Sequence, residues 1–128
     1  MIDFAKFSTD GATKDDAVGI SIKRIIEKDG LNAYATFISA GKKVGCHSHS
    51  QGDEWYIILS GDGEIWTGDV VDNEIINIKK EKFSKGCIFC IHQNTAHQLA
   101  SHNDVELIFL CPKSHLSHDR VGFEDICK

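Results

Sequence analysis

The sequence predicts an all-β domain, a sandwich or barrel built from short strands. Short runs rich in apolar and β-branched residues recur along most of the chain. The segments between them, among them SGDG, GDVVDN and SHND, are rich in the Gly, Asn, Asp and Ser residues that favour turns. No Pro-rich or Gly/Ser-rich linker interrupts this order, and 128 residues suffice for one domain with its own core. We therefore expect a single all-β domain over residues 1–128.

The predicted strands follow one another in the middle of the chain. The runs are 33–40, 55–59, 64–67, 74–78, 87–91, 96–100 and 105–111. Together they predict a core barrel over residues 33–111. In residues 1–30 we expect one or two strands or an arm, because 19–27 alternates while 15–19 fits a turn or a short helix. Residues 112–128 have weak periodicity and predict a loose strand or short helix packed on the outside.

Three of the runs are apolar on both faces, namely residues 55–59, 87–91 and 107–111. A sheet with one face in water shows polar residues at alternate positions. The second face must therefore be covered, and we expect a second copy of the chain to cover it in a homodimer. The N-terminal segment is the alternative cover.

Composition excludes several classes of function. The 14 Lys and Arg against 19 Asp and Glu give a net charge of −5, and no basic run could follow a phosphate backbone, so nucleic acid is not an expected partner. The segment MIDFAKFSTD lacks the features of a secretory signal. Apolar runs are far shorter than the ~20 residues that span a bilayer. We expect a cytoplasmic protein without a membrane partner.

Five cysteines without an export signal predict reduced thiols rather than a disulfide framework. Cys87 and Cys90 form a CxxC pair, but they lie in a predicted strand, where positions i and i+3 point to opposite faces. We expect both to be buried and structural, because a free cysteine behaves as a small hydrophobe.

The stretch GCHSHSQGDEWYIILSG suggests a metal site. His47 and His49 project from the same face if they lie in a strand, close enough to hold one ion. After the turn SQGD, Glu54 begins the next run on a face that is otherwise apolar or aromatic. A carboxylate pointing inward is costly unless a cation or metal compensates it. On the residues alone, a further ligand could be His92, His97 or His102.

Two motifs in the chain resemble those of the cupin superfamily. Residues 41–61 match the first motif at every position, with Gly41, His47, His49, Glu54 and Gly61 at the expected spacing. Residues 86–101 resemble the second motif in part. Gly86 and His97 match it, whereas His92, Asn94 and Ser101 stand where the family commonly has proline, glycine and asparagine.

This resemblance implies a double-stranded β-helix, the jelly-roll barrel of cupins. It also implies that His47, His49, Glu54 and His97 bind one divalent transition ion, which could be Mn, Fe, Ni, Co, Cu or Zn. Four protein ligands would leave one or two coordination positions for water or a small molecule. The expected partner is therefore a small-molecule ligand or substrate.

We considered three functions for such a site. The first is a metal-dependent isomerase or lyase acting on a sugar or sugar acid, with the ion as Lewis acid and with Tyr56 and His92 as candidate proton shuttles. The second is an Fe(II)-dependent dioxygenase. The third is a binding or sensing module without catalysis. His115 and His118 form another histidine pair in SHLSHDR, which we expect on the surface.

Overall fold

The computed structural model describes residues 1–128 and contains eleven β-strands and one short 3-10 helix. The strands are β1 (Thr13–Asp15), β2 (Ile20–Ile26), β3 (Asn32–Ile38), β4 (His47–Ser48), β5 (Glu54–Ser60), β6 (Gly63–Val71), β7 (Glu74–Phe83), β8 (Ile88–Ile91), β9 (Thr95–Ser101), β10 (Val105–Cys111) and β11 (Val121–Gly122). The 3-10 helix covers Lys113–Leu116 and lies between β10 and β11.

The strands form two antiparallel sheets that enclose a common core. One sheet has the order β1-β2-β3-β10-β5-β8, and the other has the order β11-β4-β9-β6-β7. Neighbouring strands in space are often distant in sequence, as when β10 lies between β3 and β5. This arrangement confirms the predicted all-β class and its double-stranded, jelly-roll architecture.

The core lies between the sheets, and β10 shows how an alternating strand contributes to it. In β10, Val105, Leu107 and Phe109 point inward and are buried, while Glu106 and Ile108 point outward. These inward side chains belong to one cluster of 15 buried residues contributed by both sheets. Burying a side chain of this kind stabilises the fold by about 1.5–3 kcal/mol. Several residues of this apolar cluster also line the cavity that contains the buried polar side chains described below.

The outer face of the six-stranded sheet is apolar and partly exposed. Trp55 on β5 and Ile88 on β8 are 43% and 59% exposed. The N-terminal segment does not cover them, because its own apolar residues Ile2 and Phe4 are also exposed. The alternative cover is therefore not observed, and the homodimer stays a prediction.

The turns in the two motifs need residues that tolerate a positive φ. Gly41, Gly61 and Gly86, the glycines of the two motifs, have φ values of 75°, 88° and 92°. At Gly61 a Cβ atom would also collide with the carbonyl oxygen of Asp104. Asn94 stands where cupins commonly have glycine, and its φ is 60°. Asparagine tolerates this left-handed conformation, so the departure from the motif preserves the turn.

The structure differs from the sequence prediction at several places. Strand β7 continues to Phe83 instead of ending at residue 78, and the sequence does not reveal this because residues 79–82 are all charged and exposed and show no apolar pattern. The tail is not simply packed on the outside, since His115, Asp119 and Ile126 are buried. Cys87 and Cys90 are half-buried rather than buried, and all five cysteines are free. None of the helical structure is long and apolar enough to span a membrane.

Candidate metal centre

Sheet pairing brings three histidines together on the inner face of the five-stranded sheet. Strand β4 pairs with β9 so that His47 lies opposite His97, with ring centroids 4.3 Å apart. His49 follows His47 by two residues and points the same way, with centroids 5.0 Å apart. The predicted alternation of the HxH motif thus places both side chains toward the barrel interior.

Glu54 approaches these histidines from the opposite sheet, where it begins β5. Its Oε2 atom lies 3.1 Å from Nε2 of His49, and its Oε1 atom lies 3.8 Å from Nε2 of His97. Candidate ligand atoms of the four residues all lie within 4.8 Å of one another, and all four residues are buried. We call this group the His/Glu cluster; its members are His47, His49, Glu54 and His97.

Backbone carbonyls fix the orientation of each histidine ring in the His/Glu cluster. Because a carbonyl oxygen only accepts hydrogen bonds, the Nδ1 atom of each ring must carry the proton and donate it. The Nε2 lone pairs then face one another and Glu54. The donor and acceptor pairs are His47 with Gly45 at 2.7 Å, His49 with Asp119 at 2.6 Å and His97 with Thr95 at 3.1 Å.

The inward-facing nitrogens suit a metal ion and little else. The Nε2 atoms of His49 and His97 are buried and make no hydrogen bond. Buried nitrogens without partners are unfavourable in a protein interior, whereas imidazole lone pairs and a carboxylate are ordinary ligands of divalent transition ions. Carbonyl acceptors behind such ligands also orient them in known metal sites. The residues present therefore fit the metal ion that the motifs imply.

Burial and neighbouring groups keep His47, His97 and Glu54 in the protonation states that bind a metal ion. Burial, together with the neighbouring His47, lowers the pKa of His97 to about 3, so the ring stays neutral at physiological pH. Burial alone would raise the pKa of Glu54, but the hydrogen bond from His115 lowers it well below the ordinary value. Burial likewise lowers the pKa of His47, so His47 and His97 offer neutral imidazoles and Glu54 offers a carboxylate without first losing protons.

His115 belongs to this site, and its predicted surface position is wrong. The side chain is only 1% exposed and stacks on His49, with ring centroids 3.9 Å apart. Its Nδ1 atom lies 2.9 Å from Oε2 of Glu54, and its Nε2 atom lies 2.5 Å from the carbonyl oxygen of Gln51. The Glu54 hydrogen bond helps to raise the pKa of His115 against the effect of burial. By contrast, His118 is exposed as expected.

Asp119 adds a second support from the same segment of the tail. Its carboxylate accepts hydrogen bonds from the backbone N–H and hydroxyl of Ser50 and from the backbone N–H of Gln51. Its backbone carbonyl accepts the Nδ1 proton of His49. The tail thus fixes the turn between the two halves of the first motif. No local pattern in the sequence signals these contacts, because they join residues 61 to 70 positions apart.

The two proposed proton shuttles lie in different places. Tyr56 is buried, faces the same way as Glu54 and lines the cavity of about 30 Å³ next to the His/Glu cluster. Burial and the nearby Glu54 raise its pKa well above the ordinary value, so the phenol keeps its proton. His92 is exposed and lines a separate surface depression with Thr67 and Thr95. The structure therefore does not bring His92 to the cluster.

Comparisons with known proteins agree with this architecture. The family model described as Cupin domain matches residues 35–112. Among solved structures, CapF from Staphylococcus aureus superposes with a TM-score of 0.68 at 19% identity, covering 89% of this chain and 34% of CapF. KdgF from Halomonas sp. has a TM-score of 0.59 at 19% identity, covering 73% of this chain and 79% of KdgF.

A third structure, Bacillus subtilis oxalate decarboxylase with Mn(II) centres, has a TM-score of 0.65 at 11% identity, covering 88% of this chain and 29% of the decarboxylase. The chain thus spans about a third of CapF and of the decarboxylase. At these identities the likeness shows the fold. No curated protein matches the sequence significantly. Because the family model covers more than half of the residues, the chain belongs to the family defined by the cupin domain.

Proposed function

We propose that the protein binds one divalent transition ion in the His/Glu cluster and acts on a small oxygen-rich molecule such as a sugar or sugar acid. The reaction class that we favour is isomerisation or elimination. One observation carries the proposal: buried nitrogen lone pairs and a carboxylate from two sheets converge beside a cavity. When bound, a divalent ion supplies Lewis-acid polarisation of a carbonyl group.

The surrounding residues prepare the site for polar chemistry. Apolar side chains such as Ile38, Leu99 and Leu107 line the rest of the cavity and exclude bulk water. Electrostatic interactions are stronger in such a low-dielectric environment. Tyr56 holds a proton at its phenol oxygen beside the cluster, so it can donate that proton to a developing oxyanion. Of the two candidate proton shuttles, Tyr56 lines the cavity and His92 does not.

The comparisons support a metal-dependent activity on a small acid or sugar. The fold is shared with an oxalate decarboxylase that has Mn(II) centres. It is also shared with CapF, described as a capsular polysaccharide assembling protein. These similarities make Mn(II) a reasonable first ion to test and carbohydrate acids reasonable first substrates to test.

Metal content tests the proposal. We expect the parent protein to bind about one equivalent of Mn(II) after dialysis and elemental analysis, through the four ligands of the cluster. The variants His47→Ala and Glu54→Ala should lose that ion. His92→Ala is the matched control and should keep it, because His92 lies away from the cluster. Equal metal content in the parent and in both ligand variants would rule out this centre.

The role of Tyr56 is tested by Tyr56→Phe, which removes the hydroxyl and keeps the ring. With a substrate found among sugar acids, we expect turnover to fall roughly a hundredfold, as for loss of a general acid. Metal content should not change. Unaltered turnover would exclude Tyr56 from the chemistry, and oxygen consumption during turnover would indicate a dioxygenase instead.

A further inference from the structure

An inner cavity and a surface groove of the molecule share four lining residues. The inner hollow is the cavity of about 30 Å³ beside the His/Glu cluster, with room for one or two water molecules. The outer hollow is an open groove of about 590 Å³ on the surface. The residues that line both are Asp15, Ile22, Leu116 and Arg120. These side chains therefore separate the cluster from the groove, and a molecule larger than water can reach the cluster from this side only if they move.

An ion pair forms the polar part of this wall. Nη1 of Arg120, in the tail, donates to Oδ2 of Asp15, at the end of β1, over 2.6 Å and a sequence separation of 105 residues. The two side chains are 21% and 13% exposed, so the pair is accessible from the groove. The other guanidinium N–H groups of Arg120 make no hydrogen bond. Arg120 thus has donors available while Asp15 holds it in place.

Arg120 is the only Lys or Arg side chain that lines the inner cavity. The groove also contains Lys14 and Arg24, but these pair with the exposed carboxylates of Asp16 and Glu27. Exposed pairs of this kind contribute little and do not fix their side chains. Arg120 is therefore the cation that the fold positions between the groove and the cluster.

We propose that Arg120 binds the carboxylate of the substrate, and that the substrate is a small polyhydroxylated acid rather than a neutral sugar. The planar guanidinium fork pairs with a carboxylate through two parallel hydrogen bonds, which gives strong and oriented binding. The substrate carboxylate replaces that of Asp15, so the ion pair opens as the substrate enters. This inference rests on the proposed function and adds the substrate class and the residue that selects it.

Binding of matched acid and neutral probes to the Mn(II)-loaded protein tests this proposal. Calorimetry would compare D-galacturonate with D-galactose, and D-glycerate with glycerol. We expect the parent to bind at least one acid roughly tenfold more tightly than its neutral partner, as one charge-assisted contact provides. Arg120→Gln should abolish that preference. Arg24→Gln is the control and should keep it, because Arg24 lines only the outer groove.

Two further measurements separate the possible outcomes. Asp15→Asn should bind the acid severalfold more tightly, because the competing carboxylate is removed from Arg120. Mn(II) affinity should be the same in Arg120→Gln as in the parent, since Arg120 is not a ligand. Three outcomes would overturn the proposal. The parent could bind neither acid, the parent and Arg120→Gln could prefer the acid equally, or both arginine variants could lose the preference. If Mn(II) binds but no acid is preferred, the metal centre stands and this inference fails; if Mn(II) does not bind, both fail.

Discussion

Replacing His115 with leucine should lower the free energy of unfolding by about 3–5 kcal/mol, because it removes one partner of a buried charged pair. The imidazole is buried against Glu54, and its Nδ1 atom lies 2.9 Å from the carboxylate. Without it, the carboxylate stays in the interior with one hydrogen bond fewer. Unfolding in urea, measured on metal-free protein, gives this difference directly.

The same substitution should weaken metal binding by roughly 10–100-fold, the usual effect of losing a group that orients a ligand. His115 both holds Oε2 of Glu54 and stacks on His49, so two ligands lose their support. Competition with a chelating dye measures the affinity. His118→Leu is the matched control, since His118 is exposed and its side-chain hydrogen bond is with its neighbour Ser117. If the two variants behave alike, His115 has no part in the site.

The metal-free protein should lose stability steeply as the pH falls from about 6.5 to about 3. His97 has a pKa of about 3 in the fold and 6.5 as an ordinary histidine. Between these pH values His97 is protonated in the unfolded chain but not in the folded chain. The free energy of unfolding therefore decreases with decreasing pH. A shift of this size corresponds to about 5 kcal/mol at most, since one pKa unit is about 1.4 kcal/mol.

Neighbouring groups set the rest of the profile. The lowered pKa of His47 acts in the same direction, and so does the lowered pKa of Glu54, whose stabilising effect is lost as the carboxylate is protonated. The raised pKa of His115 lowers stability on the alkaline side of the profile. Its contribution to stability is present below pH 6.5 and is lost as the pH rises through the raised pKa. Maximum stability is therefore expected just above pH 6.5.

Urea unfolding across this range, with a chelator present, measures the profile. His97→Gln is the control, since glutamine keeps polarity without titrating, and its profile should be shallower on the acid side. A parent protein with constant stability between about pH 4 and pH 6.5 would contradict the buried, neutral state of His97.

The parts of the structure that the sequence predicts are those governed by local pattern. Alternation in residues 105–111 predicts an inward face, and the buried Val105, Leu107 and Phe109 confirm it. The spacing of the HxH motif predicts two rings on one face, and the structure places them so. The choice of His97 over His92 and His102 came from the family resemblance, because nothing in the local residues distinguishes the three.

The parts that the sequence does not predict depend on contacts between distant segments. His115 has no neighbour in the chain that indicates burial, and its partner Glu54 is 61 positions away. The second half of β7 shows charges on both faces because an edge strand in water needs no apolar side, so periodicity cannot reveal it. The pairing of Arg120 with Asp15 likewise joins two segments that lie 105 residues apart in the chain.

The position of β10 determines when the protein can complete its fold during synthesis. This strand lies between β3 and β5, so the six-stranded sheet stays divided until residues 105–111 have left the ribosome. All four members of the His/Glu cluster emerge earlier, since the last of them is His97. A nascent chain therefore presents the three histidines of the His/Glu cluster before the barrel that brings them together is complete.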